Sequence, residues 1–76
     1  MSWHFSFTAL TTEEAHSKGA KAVADAEPHC PSEVISALDK LISLMPAKSE
    51  KPIVVLSYGH IDGNGGNALI EVKIAP

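Results

Sequence analysis

The chain is expected to fold as an α+β domain in the order β-α-α-β-β: a three-stranded antiparallel sheet, spatial order 1-2-3, with two helices packed on one face. Three observations predict this. Trp3, Phe5, Phe7 and Ala9 alternate with His4, Ser6 and Thr8, the period of a strand with one apolar and one polar face. Val34, Ile35, Leu38, Leu41, Ile42 and Met45 recur at helical spacing. Pro52 to Pro76 reads as two strands joined by a turn, because Asp62, Gly63, Asn64, Gly65 and Gly66 tolerate positive φ and are flanked by β-branched and apolar residues.

The first strand is placed at residues 2–9. Thr11 followed three residues later by Glu14 resembles a capping box, and Glu13 and Glu14 suit the positive end of a helix dipole. The helix that follows, 12–26, has a buried stripe of small residues: Ala15, Gly19, Ala22, Val23 and Ala26. Such a stripe permits close approach but buries little area, and Gly19 costs roughly 1 kcal/mol relative to alanine. Glu27, Pro28, His29, Cys30 and Pro31 break the chain, since neither proline continues a helix. The second helix starts with Ser32 as N-cap or Pro31 in the first turn, and runs to about Met45. It is the main core-builder, with side chains worth about 1.5–3 kcal/mol each when fully buried. A polar linker, 47–51, leads to the second strand at 53–61, and the third covers 68–75.

If the helices form an antiparallel pair, the second strand runs back beside the first and the third beside the second. Ile53, Val54, Val55 and Leu56 are apolar on both faces, which suits a central strand. With Trp3, Phe5, Phe7, Ile70, Val72 and Ile74 turned to the helices, the uncovered face carries His4, Ser6, Thr8, Glu71, Lys73 and one alternate set from the central strand. That set is either Val54, Leu56, Tyr58 and His60, or Ile53, Val55, Ser57, Gly59 and Ile61. The first is preferred, because Ser57 and Gly59 are small enough to let a helix sit closely inside. Either way, aliphatic side chains stand at the centre of an open face, a feature associated with interaction surfaces.

Composition narrows the function. A chain of 76 residues is one domain, residues 1–76, and buries only about 60–65 per cent of its unfolded surface. The single cysteine, Cys30, excludes an internal disulfide and suits a reducing compartment, so self-association is the expected supplement to a modest core. No apolar run approaches the roughly 20 residues that span a bilayer, and the first ten residues lack the pattern of a secretory signal; a soluble protein without membrane partners is expected. Net charge is −3, the six basic residues are scattered lysines and arginine is absent, so nucleic acid is not expected as a partner.

Chemical motifs are absent or incomplete. Asp62 to Asn67 has the alternating oxygen donors of a calcium loop, but its twelfth position is Lys73 rather than a bidentate glutamate, and strands rather than helices flank it. It is equally unsuited to cradling phosphate, lacking the lysine and helix that follow a P-loop. His4, His16, His29 and His60 show no paired zinc-ligand spacing, although a metal bridging His4 and His60 between subunits is conceivable. His29 and Cys30 are adjacent on an extended segment and so do not form a dyad. No cofactor, no metal and no enzymatic activity are expected.

The segments Trp3-His4-Phe5-Ser6-Phe7, Ser57-Tyr58-Gly59-His60 and Ile70-Glu71-Val72-Lys73-Ile74 together resemble a group of small uncharacterised bacteriophage-encoded proteins, both ends of the chain being covered. In that pattern Ser-Gly-His is contiguous, whereas Tyr58 intervenes here. The resemblance implies a phage accessory protein acting in the host cytoplasm or the virion, and brings no catalytic residues. The expected function is therefore a non-enzymatic protein-interaction module. It would be a homo-oligomer or bind a host or virion protein, through an open face formed by Val54, Leu56, Tyr58, His60 and His4 or through a strand edge. The alternative is a small-ligand binding or sequestering protein with a site at a subunit interface near the 62–67 loop.

Overall fold

A computed structural model describes residues 2–26, 30–62 and 65–76. These form β1 (Ser2–Thr11), α1 (Thr12–Ala26), α2 (Ser32–Ser43), β2 (Lys48–Asp62) and β3 (Gly65–Ile74). The sheet is antiparallel in the order β1-β2-β3, as the sequence predicts. The helices cover one face, α1 over β1 and α2 over β3, in contact with each other. The Cα extents of 42 × 21 × 16 Å suit two layers, since a sheet and its packed neighbour lie about 10 Å apart.

The register explains the core. Trp3, Phe5, Phe7 and Ala9 stand opposite Gly59, Ser57, Val55 and Ile53, which in turn oppose Ala68, Ile70, Val72 and Ile74. All of these share the helix-facing side. Trp3, Ala9, Ile53 and Val55 join Ala15 and Val23 of α1 and Val34, Leu38 and Ile42 of α2 in one buried cluster. Phe5 and Phe7 stack at its β1 edge, ring centroids 6.3 Å apart. Helix α1 runs unbroken through Gly19, where a Cβ would lie 3.3 Å from Leu38 Cδ2 and 3.6 Å from Phe7 Cζ. The missing side chain therefore brings α1 down onto both neighbours, an approach that offsets the helix-propensity cost of glycine.

Thr11 caps α1, its Oγ1 accepting from Glu14 N at 3.0 Å. The Glu14 carboxylate reaches forward to Lys18 Nζ at 3.3 Å, one turn along the helix. Thr11→Ala should cost about 1 kcal/mol and lower the melting midpoint by about 4–8 °C in a domain of this size, as measured by thermal circular dichroism. His16 Nδ1 and Asp39 Oδ1 lie 3.4 Å apart between the helices, both well exposed.

Several boundaries differ from expectation. Pro31 is the N-cap of α2 and gives no side-chain cap bond; its carbonyl accepts from Val34 N at 3.0 Å. Helix α2 ends at Ser43 because Leu44 N and Met45 N turn back to Leu41 O and Ile42 O ahead of Pro46. Ile35, expected in the core, is 37% exposed. The polar stretch 48–51 is strand rather than linker: Thr11 pairs with Lys48 while Ala9 pairs with Ile53, so β2 holds extra residues opposite Leu10. Pro52, with no N–H to give the ladder, closes that irregular stretch. Strands β2 and β3 pair as far as Asp62 and Gly65, so strand takes up residues 62 and 65–67 of the expected 62–67 loop; residues 63 and 64 lie outside the described residues. Of the expected break at residues 27–31, Glu27, Pro28 and His29 lie outside them, while Cys30 and Pro31 are non-helical residues ahead of α2.

Candidate functional site

The uncovered side of the sheet is built by the residues that alternate with the core. His4, Ser6 and Thr8 of β1 lie opposite Tyr58, Leu56 and Val54, which lie opposite Leu69, Glu71 and Lys73. The preferred alternate set thus faces outward: Val54 and Leu56 are half-buried, His60 and His4 exposed, and Tyr58 is 46% exposed. Leu69, 39% exposed, completes the apolar strip and was missed in the sequence reading. Extending the period of Glu71 and Lys73 back by one step would have found it.

The strip is rimmed by charge and hydroxyls. Glu71 Oε1 and Lys73 Nζ pair along β3 at 2.8 Å, with Ser6 and Thr8 on the far side. His4 and His60 sit diagonally across the β1–β2 pair, since Ser2 rather than His4 is opposite His60, a placement that spaces their backbones by roughly 7–8 Å. Among the described residues, no group of three or more His, Cys, Asp or Glu could hold a metal ion. None of the described helices is long and apolar enough to cross a membrane.

The inner face at the hairpin end has its own architecture. Trp3 Nε1 donates to Ser57 Oγ at 3.1 Å, both side chains buried. The indole lies on Gly59, where a Cβ would come within 2.5 Å of Cζ2. The small size of Ser57 and Gly59 therefore accommodates a tryptophan from the neighbouring strand, not a close helix as the sequence reading supposed. A shallow groove of about 290 Å3 runs beside Trp3, between Pro31, Glu33 and Val34 of the α2 start and His60, Asn67 and Ala68 of the hairpin. Cys30 is buried near the start of α2, and burial pushes its thiol up, away from the thiolate a nucleophile needs; His29 lies outside the described residues.

The arrangement thus offers an apolar strip on an otherwise polar open face, and a shallow groove on the inner side beside Trp3. No family model, curated protein or solved structure matches the chain, so its reading rests on this geometry.

Proposed function

We propose that this chain is a small, non-enzymatic protein-interaction module that self-associates through its open sheet face or a strand edge. The observation that carries the reading is the strip Val54, Leu56, Tyr58 and Leu69, which no element of the described residues covers. Covering such a strip removes apolar surface from water at about 25 cal/mol per Å2, and a second copy of a 76-residue domain supplements a core of modest size. The resemblance of its strands to small phage-encoded proteins supports a phage accessory role, in host cytoplasm or virion, with a host or virion protein as the other candidate occupant.

Light scattering over a concentration series tests this reading. The assembly should exceed the 8.0 kDa of one chain. Leu56→Glu should raise the concentration midpoint of association about tenfold or more while leaving the far-ultraviolet spectrum unchanged, because the side chain stands outside the core. A monodisperse monomer at millimolar concentration would overturn the proposal. The groove beside Trp3 supports a second reading, a small-ligand site near the hairpin, which a co-purified molecule released on denaturation would favour.

A further inference from the structure

We infer that the contact between copies includes the free edge of β3, paired antiparallel with β3 of a second copy and centred on Val72; this rests on the self-association proposed above and names its geometry. Ala75 N donates to Pro52 O at 2.8 Å, and the β2–β3 register continues without a shift from Ile53↔Ile74 onward. Hydrogen-bonded and non-bonded pairs alternate along an antiparallel ladder. Lys73, Glu71 and Leu69 therefore turn their backbone groups to β2, while Ile74, Val72 and Ile70 turn theirs to the outer edge.

The two edges of the sheet are not equivalent. The same alternation turns the Thr8 carbonyl of β1 outward, and there it accepts from Lys18 Nζ at 2.7 Å, a lysine guard of the kind that blunts edge strands. No side chain of the described residues bonds the outward groups of Ile70, Val72 or Ile74. The β3 edge thus carries no such guard among the described residues, whereas β1 carries one at Thr8.

Charge selects the register. With the two-fold axis at Val72, Ile70 faces Ile74 of the second copy and Glu71 faces its Lys73, twice over. Centring on Glu71 or Lys73 would instead place like charges opposite each other, which is destabilising. The Val72 register puts Glu71 and Lys73 in non-hydrogen-bonded pairs, where cross-strand side chains are closest. It also joins the two open faces side by side into one wider strip.

The helix layer accommodates this pairing. Pro31 and Val34 share a groove with Gly66 and Ala68, so α2 starts level with the start of β3. The five steps from Asn67 to Val72 rise about 16 Å, as much as about eleven helical residues, so a helix following β3 from this start ends near the axis, at about Leu44, the C-cap of α2. The two α2 helices then run apart from the axis instead of colliding. Ile74, 36% exposed in one copy, gains Ile70 of the second copy as its cross-strand neighbour.

Amide hydrogen exchange on the intact chain tests the pairing. Exchange at Ile70, Val72 and Ile74 should slow about tenfold or more between dilute and concentrated samples; face-to-face packing alone leaves those amides at their dilute rate and overturns the inference. Val72→Pro removes an outward N–H and spares the β2 ladder, so it should lower the assembly mass with the fold intact. Glu71→Lys should weaken association about tenfold and the double variant Glu71→Lys/Lys73→Glu should restore it. Should the double variant associate no better than the single, the Val72 register is wrong. An assembly that persists in Val72→Pro with unprotected edge amides refutes the edge and leaves the self-association reading standing; a monomeric wild type removes both.

Discussion

Trp3→Ala should lower the free energy of unfolding by about 3–5 kcal/mol, the range for truncating a buried aromatic side chain. The indole is 5% exposed and its Nε1 bonds a serine that is fully buried, so the substitution removes area and orphans the Ser57 hydroxyl together. Small domains hold only about 5–15 kcal/mol in total, and the variant is expected to be substantially unfolded at 37 °C. Urea titration followed by circular dichroism gives the value. Trp3→Phe separates the two contributions: most of the area remains while Ser57 loses its partner, for a cost of about 1–3 kcal/mol. A loss for Trp3→Ala below about 1 kcal/mol would mean that the indole does not anchor this end of the sheet.

Gly59→Ala should be nearly as damaging, although it adds a single carbon. The new Cβ would lie 2.5 Å from Asn67 O and 2.5 Å from Trp3 Cζ2, a backbone atom and a rigid ring, neither of which can yield locally. Overpacking of this kind costs about 1–3 kcal/mol and occasionally more, and the upper end is expected here because strand pairing and indole placement must shift together. The measurement is again urea unfolding, with tryptophan fluorescence reporting whether the indole has moved toward water. Pairing Gly59→Ala with Trp3→Phe should recover part of the loss, since the smaller ring makes room. Strictly additive losses would show that the glycine is needed for the close approach of Asn67 alone.

The architecture was legible because each element carries its own period. Alternation from Trp3 to Ala9 marked β1, helical spacing from Val34 to Ile42 marked α2, and the apolar run from Ile53 to Leu56 marked a central strand. The outward set Val54, Leu56, Tyr58 and His60 was also assigned correctly, but for a reason the structure replaces: Ser57 and Gly59 make space for Trp3, a partner 56 positions from Gly59 that no local pattern reveals. The strand character of 48–51 was hidden because its residues are polar and sit at the irregular pairing with Leu10, outside any clear alternation. Leu69 was overlooked for a similar reason, lying between a glycine-rich turn and a run whose period was read only from Ile70 onward. The direction of each backbone group, which decides which residues of an edge can pair outward, follows from the ladder whose phase the bond between Ala75 and Pro52 reveals, and has no signature in side-chain chemistry.

The indentation that Gly59 makes beneath the Trp3 ring acts as a proofreading device for assembly of the sheet. Slipped by two residues, β1 would keep every apolar side chain on the correct side, yet the ring would strike the side chain of Ser57 or Ile61 instead of a bare backbone. Mispaired chains would therefore fail to close and would reopen, so the native alignment is enforced by a single vacancy as much as by the greasy pattern that surrounds it.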